Sequence, residues 1–413
     1  MKHPRRSTRR PSDLGSGYRR LWASATLSNL GDGIRAAAFP LIASSLTRDP
    51  ALVAGVTVAA TLPWLLLGLP AGAIVDRADR RDLLVRANLA RGVVVALLGL
   101  TVVFGIESLL VVYLVVFLIG AAETLVDTAA QSIVPALVGK GRLHDANGYL
   151  VTSKTVANEF AGVTLGGMLF AAGIWVPLLA EAATMLVAAG VAFGLRGAFR
   201  PDRSEGTTSR VLTEVREGLG WLVRQRVLRT LIGLVAVIGL VDTAWFAILV
   251  LYALQILGLD PVGFALLLAV GAGGSVLGGV TAATLVRRLG SAPVLLSSVA
   301  LMAATQVAIG LTSSGMVAGV MIVWSGFAFA VWNVVAVSLR QMLAPDRLLG
   351  RVHATYLFAG AGAQPVGALL GGLVAQAWGL RAPFLVGALV LVVAAAFSWP
   401  ALRSVTAVET TEG

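Results

Sequence analysis

Residues 51–75 contain no charged side chain, and from Leu83 to Phe104 the only charges are Arg86 and Arg91. Between these runs sits the dense turn Asp76-Arg77-Ala78-Asp79-Arg80-Arg81-Asp82. A soluble domain has nowhere to put two such runs. Each is long enough to cross a hydrocarbon core of roughly 30 Å, which takes about 20 residues, and the turn must then stay in water at one membrane face. A backbone without water partners has to satisfy its own hydrogen bonds, so each run is expected to be a helix.

The pattern repeats along all 413 residues. Spans are predicted at 20–46, 51–75, 84–104, 108–134, 148–173, 175–195, 229–257, 261–286, 291–312, 315–339, 351–377 and 382–402. The expected fold is an all-α membrane protein with twelve transmembrane helices in two six-helix bundles. The expected divisions are a basic tail (1–19), a first bundle (20–195), a linker with an amphipathic surface helix (196–228), a second bundle (229–402) and a C-terminal tail (403–413). Composition agrees: 57% of residues are hydrophobic and 13% charged, against about 25% charged in soluble domains. The first apolar run is too long for the core of a signal peptide and carries Asp32 and Arg35, so it is read as a retained span.

Charge placement orients the chain. Of the 32 Lys and Arg, all but five fall on the side of Asp76. Arg48 and Arg381 lie opposite, and Arg35, Arg91 and Lys154 lie within spans. The bias predicts that both termini are cytoplasmic. It also turns the net charge of +11 into topology and attraction to anionic lipid rather than nucleic-acid binding. The absence of cysteine excludes disulfides, thiol nucleophiles and thiolate metal sites. Val138-Gly139-Lys140-Gly141 lacks the glycine spacing of a phosphate loop. No cofactor is implied, so energy must come from an ion gradient or the substrate's own gradient.

The two halves repeat. Asp32 and Asp242 are 210 residues apart, Pro50 and Pro261 211, Tyr149 and Tyr356 207, and the Gly162/Gly166/Gly167 and Gly367/Gly371/Gly372 clusters 205. Glycines spaced by four, including Gly68/Gly72 and Gly274/Gly278, are candidates for close helix approach.

Ionisable groups at membrane depth cost at least about 2.5–3.5 kcal/mol each on insertion scales and mark functional candidates. Glu123, Asp127 and Gln131, spaced by four, share one helix face. Two carboxylates a turn apart repel, which favours one of them carrying a proton. Asp32 and Arg35 stand at pairing distance on their own helix. Lys154, Asn158 and Glu159 lie on the fifth span and Asp242 on the seventh. Lys154 is placed to neutralise Asp127. Glu181 is expected near the outer end of the sixth span, reaching water. Asn29, Phe39, Trp245, Trp324, Trp332, Asn333, Tyr356 and Gln364 are candidates for a substrate wall.

Gly72, three residues, Asp76-Arg77, two residues, then Arg80-Arg81 resembles the loop between helices 2 and 3 of major facilitator superfamily transporters; Asp79 stands where that family usually has glycine. The resemblance implies a cytoplasmic loop whose Asp76 latches the two halves in one state. Asn29-Leu30-Gly31-Asp32, the acidic fourth span ending in Ile133-Val134-Pro135, and Leu143 through Asn147-Gly148 look like bacterial macrolide-efflux and Tap-like multidrug antiporters. Many drug antiporters have an arginine in helix 4, where this chain has Glu123 and Asp127. The likeness implies proton-coupled export of amphipathic drugs across the bacterial inner membrane by alternating access, by a monomer that is not an enzyme. Alternatives of the same fold are a siderophore or metabolite exporter; of another class, a non-transporting sensor or lipid scramblase.

Overall fold

The computed structural model describes residues 14–75, 77–106, 108–139, 142–197, 199, 225–345 and 349–412. Asp76, most of the basic tail and nearly all of the expected surface helix lie outside them. In chain order the helices are α1 Ser16–Leu46, α2 Pro50–Val75, α3 Arg80–Val103 and α4 Leu109–Leu137. The fifth, α5, runs Leu143–Lys154, continues as a π-helical segment Thr155–Gly162 and ends as Val163–Ala172. Then come α6 Val176–Phe193, and α7 as Arg226–Phe246 and Leu249–Gln255. The rest are α8 Pro261–Leu289, α9 Ser291–Leu311, α10 Gly315–Leu343, α11 Leu349–Trp378 and α12 Ala382–Glu412. The stretch read from the sequence as a C-terminal tail thus continues the twelfth helix. No strand occurs among the described residues.

Among the described residues, ten helices are long and apolar enough to cross a membrane by length and composition alone. The other two, α1 and α5, complete the twelve. They fall short for a reason: α1 carries Arg19, Arg20, Asp32 and Arg35, and α5 carries Lys154 and Glu159 and is divided by its π segment. Among the described residues, short polar side chains cap the starts of α2, α3, α8 and α10. Asp49 accepts from the Ala51 amide at 2.8 Å ahead of Pro50, and Asp260 accepts from Gly263 at 2.7 Å ahead of Pro261, so the matched prolines belong to matched Asp-Pro caps. Asp79 accepts from the amides of Arg81 and Asp82; the residue that departs from the loop pattern is the N-cap of α3.

The internal repeat is a repeat of packing. In the first half α1 packs on α5 and α6, α2 on α4, and α3 on α4 and α6. In the second half α7 packs on α11 and α12, α8 on α10, and α9 on α10 and α12, the same pairs advanced by six. The halves meet through α2 with α11 and α5 with α8. Glycines set the register. A Cβ on Gly162 or Gly166 would lie 2.6 or 2.5 Å from the carbonyl oxygen of Leu30 or Ile34. Gly367 and Gly371 meet Leu240 and Ala244 in the same way, at 2.2 and 2.0 Å. Gly167 meets Pro261, and Gly372 meets Pro50 and Ala51. Gly68 and Gly72, by contrast, have nothing within 4 Å. Their spacing is not a packing contact, because that face of α2 has no neighbour there.

A Cβ at Gly274 would sit 1.9 Å from the Val323 carbonyl oxygen, a main-chain atom of α10 that moves only with its helix. Gly274→Ala is therefore expected to destabilise the protein by about 1–3 kcal/mol or more. Gly68→Ala should stay within about 0.5 kcal/mol. Thermal unfolding in detergent checks both; equal midpoints for the two variants would remove the argument.

The core is divided unevenly. On the face opposite the termini one apolar cluster draws on both halves, with Phe39, Val53, Ile119 and Leu178 from the first and Trp245, Tyr252, Phe264 and Phe384 from the second. Gln376 of α11 also donates to Asp49 at 2.8 Å there. Toward the termini each half has its own cluster, around Tyr18, Ile133 and Ala192 in the first and around Leu231, Trp332 and Leu402 in the second. Among the described residues, the apolar core joins the halves at one face and is divided between them toward the other.

Candidate functional site

The charged side chains of the first half converge between α1, α3, α4, α5 and α6. Asp32 and Arg35 sit one turn apart on α1, with Arg35 Nη2 3.1 Å from Asp32 Oδ1. The same Nη2 donates to Glu123 Oε2 of α4 at 2.6 Å, and Arg35 Nε stands 3.9 Å from Glu181 Oε1 of α6. Arg91 of α3, only 1% exposed, donates to Asp32. Arg91 also donates to Ser28 Oγ at 3.0 Å and to Asn88 Oδ1 at 3.4 Å. Buried charges persist when they are paired and hydrogen-bonded, and Asp32 between two guanidiniums meets that condition. One turn nearer the termini, Lys154 Nζ of α5 stands 3.5 Å from Asp127 Oδ2.

Exposure rises along the α4 stripe, from 19% at Glu123 to 30% at Asp127, and Gln131 is exposed. The stripe faces α1 and α5, so this gradient runs from the ion-pair core toward the face where the halves are packed separately. The i, i+4 spacing gave the shared face correctly. Beside the expected repulsion between Glu123 and Asp127, each acid has its own cation: Lys154 stands at Asp127, as its place in the sequence allowed, and Arg35 at Glu123. Glu181 is a second correction. It does not reach water but is 1% exposed, because the face of α6 bearing Glu181, Ala182, Met185 and Ala188 packs onto α1 and α3.

Other sequence candidates are dispersed. Glu159 is exposed on the π segment of α5, and Asn158, half-buried, lies where its carbonyl meets Gly33. The half-buried Asn29 donates to the Ala25 carbonyl of its own helix at 2.8 Å. Asp242 occupies in α7 the place of Asp32 in α1, since the glycine contacts on either side correspond. Its partner is neutral: Trp245 Nε1 donates to it at 3.1 Å. Phe39 and Trp332 are fully buried within apolar clusters, which removes them from any cavity wall. Trp245 and Tyr356 are buried as well, and the Tyr356 ring lies 3.2 Å beneath the Arg340 guanidinium. Trp324, edge-on to Phe327, and Asn333 are exposed, and Gln364 is half-buried. In the charged loop, Gly72 is open, Arg77 is exposed, Arg80 donates to Ser132 of α4 at 3.1 Å, and Arg81 donates to the Phe193 carbonyl of α6. Among the described residues no group of three or more His, Asp or Glu could hold a metal ion.

Sequence reasoning noticed Arg91 as a lone cation in an apolar run but gave it no partner. The available signal was that Arg91 has no acid within its own span, while Asp32, paired by position only with Arg35, has oxygens to spare.

Among the described residues, twelve helices in two equivalent halves, joined at one face around a charged interior, form a helical membrane protein of the major facilitator fold. Residues 15–411 match the model of the transmembrane secretion effector family, and the chain belongs to that family. Over 374 residues it is 28% identical to the multidrug efflux pump Tap of Mycolicibacterium fortuitum, covering 88% of this chain and 90% of the relative. It is 30% identical over 389 residues to an MFS-type transporter of Mycobacterium tuberculosis, covering 85% of each. Among solved structures, a bacterial homologue of the iron transporter ferroportin in an inward-facing state superposes with a TM-score of 0.74 at 16% identity, covering 93% of this chain and 98% of that one. The unoccupied, inward-facing bacterial homologue of the lysosomal transporter Spinster gives 0.72 at 17%, covering 97% and 98%. At such identities these likenesses carry the fold alone.

Proposed function

We propose that the protein exports amphipathic small molecules, drugs among them, across the bacterial inner membrane in exchange for protons. Both termini are taken to be cytoplasmic and the working unit a monomer. The single observation that carries this reading is the net-acidic ion-pair cluster of Asp32, Arg35, Arg91, Glu123 and Glu181 in a fold whose described apolar clusters join the halves at the face opposite the termini. Such a cluster costs too much to keep for packing alone, and its graded exposure toward the face of the termini gives protons and cargo a common approach. The names of the relatives support export of drugs.

In this reading cargo enters between the halves from the termini side, against the exposed Trp324, Asn333 and Gln131. Asp127 with Lys154, and Asp242 in the second half, line the approach. Protonation competes with cargo and shifts the balance between states open to either face. The loop bearing Asp76, Arg77, Arg80 and Arg81 acts as the latch, with Arg80 and Arg81 anchoring it to its own half.

The test is transport of ethidium by the full chain in proteoliposomes. With a pH gradient imposed, the dye should move against its own gradient; without one it should only equilibrate. Asp32→Asn is expected to lower gradient-driven uptake by at least about tenfold, equivalent to 1.4 kcal/mol of coupling. Uphill movement that ignores the pH gradient would overturn the proton exchange, and lipid movement without dye movement would favour a scramblase.

A further inference from the structure

Resting on the proton-exchange reading, we propose that Glu181 of α6 is the proton-carrying acid of the first half, and that Arg35 passes its charge state to Glu123.

The cluster around Arg35 holds three carboxylates, Asp32, Glu123 and Glu181, and two guanidiniums, Arg35 and Arg91. Two of the acids are hydrogen-bonded by those cations: Asp32 by Arg91 and Glu123 by Arg35. Glu181 is left over. Neither of its oxygens has a hydrogen-bond partner and neither meets solvent, and its nearest cation atom, Arg35 Nε at 3.9 Å, is beyond hydrogen-bonding distance. An ionised carboxylate in that setting has lost its hydration with nothing in return, whereas the neutral acid has far less to lose.

Among the described residues, the surroundings contain no other cation free to hold it as an anion. Asp32 and Arg35 face it from α1, and Arg91 faces it from α3 but is engaged with Asp32, Ser28 and Asn88. Glu123 lies beyond Arg35 on α4. The end of α5 that packs on α6, Val163–Ala172, contains no titratable side chain.

Arg35 is the element that moves. Its guanidinium is a rigid fork with Nη2 on Glu123 and Nε turned toward Glu181. When Glu181 gives up its proton to water admitted as the halves change access, the new anion draws Nε in, and the fork tips Nη2 away from Glu123. Glu123, partly exposed, is thereby freed toward the cargo side. Protonation of Glu181 reverses the swing. One proton and one arginine thus connect a site closed to water with a carboxylate that water reaches.

Infrared spectra of the purified full chain in lipid at neutral pH provide the first test. The wild type should show the carbonyl stretch of a protonated carboxylic acid, identified by its shift in D2O. E123Q should keep that band and E181Q should lack it. The second test is ethidium uptake in proteoliposomes. E181Q should lose gradient-driven accumulation while still equilibrating dye, and E181D should recover part of it, a rescue that a purely space-filling side chain would not show. Identical spectra for wild type and E181Q, or full gradient-driven uptake by E181Q, would overturn the assignment while leaving proton exchange intact. If the wild type ignores the gradient, the exchange reading falls and the coupling role with it, whereas the band still decides whether Glu181 holds a proton.

Discussion

Arg91→Leu is expected to lower the stability of the protein by about 3–5 kcal/mol, the usual loss when one member of a buried ion pair is removed. Arg91 is fully buried and its guanidinium bridges Asp32, Ser28 and Asn88, tying α3 to α1. Leucine fills much of the space but leaves Asp32 dependent on Arg35, which already serves Glu123. The loss is therefore electrostatic more than steric, and this yields a second expectation. Asp32→Asn combined with Arg91→Leu removes both charges, and most of the stability should return. Unfolding by sodium dodecyl sulfate in mixed micelles measures both variants. A double variant as unstable as Arg91→Leu alone would show that Arg91 acts through shape, and the account of Asp32 would have to change.

What the chain disclosed in advance follows a physical boundary. Properties set within one helix were readable: the span lengths, the i, i+3 approach of Asp32 and Arg35, and the i, i+4 stripe of Glu123, Asp127 and Gln131. The duplication was readable too, since matched landmarks translate into matched contacts such as Gly166 with Ile34 and Gly371 with Ala244. Properties set by how one helix is rotated against another were not. Gly68/Gly72 and Gly367/Gly371 have the same spacing, but only the second pair faces a neighbour. Phe39 and Trp332 suited a cavity wall until their faces proved to point into packed clusters. Arg91 and Asp32 are 59 positions apart, and nothing local brings them together. Glu181 was misplaced for the same reason, because depth along α6 says nothing about which side of it meets α1.

The two halves share a backbone plan and differ in charge. Asp242 stands where Asp32 stands, yet it is held by Trp245 rather than by arginines. The first half therefore contains a network that can be rearranged, and the second a single acid that can only be occupied or vacant. Division of labour follows in the proposed mechanism: proton exchange with rearrangement in the first half, recognition of a positively charged or proton-bearing group in the second.

Locking the joined face should arrest the cycle altogether. Asp49 and Gln376 meet there across the two halves, beside the close approaches of Gly372 to Ala51 and of Gly167 to Pro261. Exchange of access requires these contacts to part, whatever the cargo. The chain has no cysteine, so Asp49→Cys with Gln376→Cys adds the only two thiols, and a short reducible bis-thiol reagent can bridge them without side reactions. Removing the Asp49–Gln376 hydrogen bond should cost about 0.5–1.5 kcal/mol, and losing the Asp49 cap of α2 about 0.5–2 kcal/mol more, a sum that a folded membrane protein can absorb. The double variant should therefore transport before cross-linking. After cross-linking, ethidium transport should fall by at least about tenfold, because the state open to the opposite face loses its population, and reduction should restore it. Each single-cysteine variant treated with the reagent should remain active. Undiminished transport by the cross-linked protein would mean that the face joined by α2 with α11 and α5 with α8 never opens, and alternating exposure of one site to both sides of the membrane could not be how this protein works.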